Sequence, residues 1–148
     1  MGGKHKQPRT GGGREPSPEK RPRAETDDPT GSRLGPVWRV GRIEIEGPFG
    51  WQTHGRTTIA DLHKKLSAFE TMTWSEIERA GSHNVAVPDL AKAARDRLKE
   101  LHLDDREELF SLRLTGKSRV WGIRDGRALD VMWWDPEHAV CPSYKKNT

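Results

Sequence analysis

Leu109-Phe110-Ser111-Leu112-Arg113-Leu114, Arg119-Val120-Trp121-Gly122-Ile123-Arg124, Asp125-Gly126, and Ala128-Leu129-Asp130-Val131-Met132-Trp133-Trp134 form the stretch that decides the fold. Apolar residues recur every second position in the first segment, the period of a strand with one face buried. Thr115-Gly116-Lys117 breaks it, and Asp125-Gly126 is a strong two-residue hairpin signal because both residues tolerate positive φ. Asp135-Pro136 ends the third segment. The stretch therefore reads as a three-strand meander. A two-residue loop at Asp125-Gly126 sets Arg124 opposite Arg127, Ile123 opposite Ala128, Trp121 opposite Asp130 and Arg119 opposite Met132. Cross-strand neighbours share a sheet face. Val120, Gly122, Leu129, Val131 and Trp133 then make an apolar face for helices. Arg119, Trp121, Ile123, Asp130, Met132 and Trp134 make the opposite face, which Arg113 joins if Phe110, Leu112 and Leu114 stay on the helix side.

Upstream, Trp38 to Glu46 reads as a strand, with Gly41 shifting the alternation as a bulge would and Gly47-Pro48 ending it. From Thr58, an N-cap residue type, Ile59, Leu62, Leu66 and Phe69 fall at helical spacing and predict one inward stripe. Thr73-Trp74-Ser75-Glu76 is a capping box opening a short helix to about Arg79. Gly81 to Asn84 reads as a loop. Pro88 suits the first turn of a further helix, in which Leu90, Ala94, Leu98 and Leu101 share a face. The expected class is α+β: an antiparallel sheet of the N-terminal strand plus the C-terminal meander, with two to three helices packed on one face.

The chain has 148 residues, enough for one domain, expected over residues 36–148. In residues 1–34 only Met1, Ala24 and Leu34 are apolar, and eight Lys/Arg stand against five Asp/Glu. Such a segment buries too little surface to offset its ordering entropy, so residues 1–35 are expected to be a disordered basic tail. The remainder is nearly balanced in charge but polarised. Residues 61–108 hold 8 basic and 11 acidic side chains, whereas 109–148 hold 7 and 4, making the C-terminal part the basic pole. The single cysteine, Cys141, excludes an internal disulfide and a cysteine-rich zinc site. There is no apolar signal core or membrane-length run, so a cytoplasmic, membrane-free protein is expected.

A sheet face mixing arginine with tryptophan suits RNA: guanidinium groups bind phosphates and indoles stack on unpaired bases. The same residues also suit a second small core under the C-terminal segment, with Arg119 and Asp130 as an ion pair. Both readings stand on the sequence alone. Asp135, Glu137, His138 and Cys141 offer only two residues of zinc-preferred type, so no metal or cofactor is expected. His54, His63, His83 and His102 are scattered and form no constellation.

The meander, its arginines and the preceding strand and helices resemble the RelE/ParE superfamily of toxins over roughly residues 38–134. That resemblance implies a toxin-antitoxin protein: in the RelE kind a ribosome-dependent, metal-independent messenger-RNA endonuclease, in the ParE kind a gyrase poison. It implies RNA or the ribosome, and a small antitoxin protein, as partners. Arg113 and Arg119 match the arginines of the first two meander strands, with His138 or Tyr144 as the acid/base group. Arg113, Lys117, Arg119, Trp121, Arg124, Lys145 and Lys146 would contact RNA. The alternative is a non-catalytic RNA-binding or protein-interaction module on the same fold.

Overall fold

The computed structural model describes residues 30–53 and 56–142. In chain order the elements are β1 (Val37–Arg39), α1 (Arg56–Phe69), α2 (Trp74–Arg79), β2 (His83–Ala86), α3 (Lys92–Glu100), β3 (Glu108–Arg113), β4 (Arg119–Asp125) and β5 (Ala128–Asp135). Short 3-10 turns lie at Trp51–Thr53 and Val87–Asp89. The strands form one sheet in the order β1-β5-β4-β3-β2. The class is α+β, as expected, and the meander and the helix at Thr73 stand where the sequence put them. Thr73 caps α2, its Oγ1 accepting from the Glu76 amide at 3.3 Å.

Several details differ. The sheet is mixed, because β1 runs parallel to β5, with Val37 opposite Ala128. β1 ends at Arg39 and the chain from Val40 to Gln52 becomes a strap over the end of β5. The Met132 carbonyl accepts from the Glu44 amide and the Trp51 indole, each at 3.1 Å, and the Trp134 amide donates to the Phe49 carbonyl. The expected loop at Gly81 to Asn84 gives way to β2 from His83, an edge strand antiparallel to β3. α1 begins at Arg56, so Thr58 lies inside it rather than capping it, and Ile59 is 63% exposed. α3 starts at Lys92, with Pro88 in the 3-10 turn before it. Packing already involves residues 30–36: the Trp74 amide donates to Leu34 and the Ser75 amide to Ser32. Residues 30–35, expected in the tail, are thus part of the described fold, and the expected disorder of residues 1–29 falls outside the described residues.

The largest correction concerns register. Asp125 pairs with Ala128, so Gly126-Arg127 is the two-residue loop, with positive φ only at Gly126 (59°). A glycine with positive φ at the first central position, followed by a residue without it, fits a II′ hairpin turn, whereas an Asp125-Gly126 loop with positive φ at both residues would have been type I′. Gly122 pairs with Val131 and Trp121 with Trp133, leaving Met132 as the extra residue of a β-bulge. Gly122 permits this approach, since a Cβ there would stand 2.2 Å from the Asp130 carbonyl oxygen. The bulge rotates Trp133 and Trp134 to faces opposite those expected. Trp134 joins Phe110, Leu112, Val120, Leu129 and Val131 under α1 and α2. Trp133 joins Leu109, Trp121, Ile123 and Met132 against Ala94 and Leu98 of α3. Helices thus cover both faces, not one. Each fully buried large apolar side chain contributes about 1.5–3 kcal/mol, so the second layer is a core and not an open platform.

Candidate functional site

Three residues expected to touch RNA are committed to the fold. Trp121 is 1% exposed and its indole donates to Asp135 Oδ2 at 3.1 Å. A side chain packed under α3 cannot stack on a base. Arg119 is 8% exposed, and its guanidinium donates to the carbonyls of Thr115 (2.7 Å), Ser118 (3.0 Å) and Gly116 (3.4 Å). Burial, and then the neighbouring Arg113, hold its pKa below the usual arginine value, against the opposing pull of Asp135. It braces the β3–β4 turn. Arg124 lies over the Trp74 ring at 4.4 Å, pairs with Glu78, and donates to the Thr30 carbonyl at 2.7 Å. Asp130 pairs with Arg39 and Arg42 across to the strap side, not with Arg119. Tyr144, Lys145 and Lys146 lie outside the described residues.

Arg113, Lys117 and His138 remain, and they share one end of the sheet. Arg113 and Lys117 are exposed. Thr115 organises the turn between them, its hydroxyl accepting from the amides of Ser118 (3.0 Å) and Lys117 (3.3 Å). The Arg113 amide donates to the buried Ser82 hydroxyl at 2.9 Å, tying β3 to the start of β2. Lys117 reaches across to Glu137 in the turn after β5. That turn is built on Asp135, which is buried. Its carboxylate accepts from the amides of Ala139 (2.7 Å) and Val140 (3.0 Å) besides the Trp121 indole. The turn puts His138 in the left-handed region at φ 57°. His138 Nδ1 is buried with no hydrogen-bond partner among the described residues.

Between this end of the sheet and α1 runs a groove that the sequence did not reveal. One part, about 520 Å³, is lined by Lys64, Lys65, Thr115 and Ser118 over Leu62 and Trp134, with Asp61 at its rim. A second part, about 290 Å³, continues past Lys65 and Thr115 to Phe69, Met72 and Arg113. Three cations against one carboxylate make this a place where an anion is attracted, and the floor beneath them is apolar. Lys64 and Lys65 were visible as exposed positions beside the Leu62–Leu66 stripe. Nothing in the chain said that this helix face would meet the β3–β4 turn.

Among the described residues no group of three or more His, Cys, Asp or Glu side chains is placed to hold a metal ion. Cys141 donates to the Asp89 carbonyl at 3.4 Å, and burial, with Asp89 and Asp135 nearby, pushes its thiol pKa up. No described helix is long and apolar enough to cross a membrane. The chain matches no protein-family model, no curated protein and no solved structure.

Proposed function

We propose that this domain binds RNA, and that the groove between α1 and the β3–β4 turn is where it does so. The observation that carries the reading is the convergence of Lys64, Lys65 and Arg113 from two elements on one groove with a single carboxylate. Each cation that neutralises a phosphate releases a condensed counterion, which gives binding a defined salt dependence. Three contacts to a single strand predict a slope of log K against log salt near −2, or about 15–20-fold weaker binding at 200 mM than at 50 mM. The test is fluorescence anisotropy with a labelled RNA across that range, on the native protein and on Lys64→Glu/Lys65→Glu/Arg113→Glu. The slope should collapse toward zero in the variant, with its melting temperature nearly unchanged. An unaltered slope sends the binding site elsewhere.

A second reading, cleavage of the bound strand, is favoured by His138. Its imidazole lies in a turn joined through Glu137 to Lys117, and its Nδ1 has no partner among the described residues. In the reaction that the RelE resemblance implies, the RNA 2′-hydroxyl gives its proton to water as its oxygen attacks the adjacent phosphorus, and the P–O5′ bond breaks to leave a 2′,3′-cyclic phosphate. His138 would protonate the leaving 5′-oxygen. Such a protein would act on messenger RNA at the ribosome and be held in check by a small antitoxin. Induced expression with messenger-RNA 5′-end mapping separates binding from cleavage. New 5′ ends that vanish in His138→Ala, with RNA affinity retained, support the enzyme. An unchanged 5′-end map on inducing the native protein removes it.

A further inference from the structure

The groove has two parts with a shared waist. Lys65, Ala68, Leu114 and Thr115 line both the larger part beside Trp134 and the smaller part beside Met72. A surface that reads phosphates alone needs only charge on a convex or flat rim. This one sets its cations above two apolar hollows, and the larger lies within the roughly 300–1,000 Å³ span of small-ligand sites. Lys65 stands at the waist and Arg113 borders the smaller hollow, so a phosphate bridging two hollows meets both charges.

We propose that the groove takes two consecutive unpaired nucleotides, one base in each hollow, with the phosphodiester between them held by Lys65 and Arg113. This rests on the RNA-binding reading and sharpens it: the ligand is a single strand, because a base in a duplex must first give up its pairing and stacking to enter a hollow. Burial of a base face against protein supplies affinity that pairing withholds, and it is tolerant of sequence because every base has a π face.

The experiment compares a labelled single-stranded RNA with the same strand annealed to its complement, using the full chain. Ala68 is exposed on α1 and borders both hollows, so Ala68→Phe fills them while leaving every cation in place. Ala80→Phe, at an exposed position beside the smaller hollow only, is the second variant. The native protein should prefer the single strand by tenfold or more. Ala68→Phe should erase that preference with its salt slope intact, and Ala80→Phe should weaken single-strand binding by a smaller factor. A 5′-phosphorylated dinucleotide should compete and a mononucleotide should compete less well. Equal affinity for single strand and duplex, or Ala68→Phe and Ala80→Phe both retaining the full preference, overturns the two-hollow proposal while leaving RNA binding through the cations standing. Absence of binding to either RNA overturns both.

Discussion

Replacing Arg119 by alanine should destabilise the domain, although an arginine on an open sheet face could be removed at little cost. The guanidinium makes two short hydrogen bonds, to Thr115 at 2.7 Å and Ser118 at 3.0 Å, and a longer one to Gly116 at 3.4 Å. Hydrogen bonds to a charged group contribute about 1.5–3 kcal/mol each, but the freed turn carbonyls regain water, so a net loss of about 2–3 kcal/mol is expected. For a domain of this size that lowers the melting temperature by about 8–12 °C. Arg119→Lys keeps the charge but presents a point donor, and should fall between the two. Thermal unfolding followed by near-ultraviolet circular dichroism and tryptophan fluorescence measures this. An Arg119→Ala melting temperature within about 1 °C of the native protein would refute the bracing role and return Arg119 to the candidate ligands, since exposed substitutions typically change stability by less than about 0.5 kcal/mol.

Two further outcomes are expected. Asp135→Ala strands three buried or half-buried N–H donors, from Ala139, Val140 and Trp121, and should cost about 3–5 kcal/mol in urea unfolding; a loss below about 1 kcal/mol would mean the turn holds without its carboxylate. Cys141 should react with iodoacetamide several-fold more slowly in the folded protein than in urea at the same mildly alkaline pH, because its raised pKa keeps the thiol protonated there; equal rates would contradict the burial.

The meander and the short capped helix were legible because their signals are local. Period-two alternation from Phe110 to Leu114 and the Thr73–Glu76 box each specify a structure within a few residues. What failed was information that local patterns do not carry. Met132 looks like any strand residue, yet as the bulged residue it sends Trp133 and Trp134 to opposite layers. The hairpin dipeptide was found, but which two residues form its loop depended on Asp125 avoiding positive φ. β2 is an edge strand whose four residues are all exposed or half-buried, so His83 to Ala86 show no alternation to read. Of the expected site, Arg113, Lys117 and His138 do gather at one end of the sheet. Trp121 was misjudged because α3 covers the face that the sequence left open, and Arg119 and Arg124 because arginines beside backbone carbonyls or an aromatic ring find partners within the fold. Lys64 and Lys65 were missed because their role depends on a tertiary contact between α1 and a turn some fifty residues away.

The most direct test of the account is a titration of isotope-labelled protein with a short single-stranded RNA, followed by amide and indole N–H resonances. Perturbations should concentrate at Lys64, Lys65, Ala68, Arg113 and Thr115. The Trp121 indole N–H, sealed beneath α3 and bonded to Asp135, should stay where it is. Shifts centred on α3 and β2, with the α1 groove silent, would contradict the assignment of this groove as the RNA site.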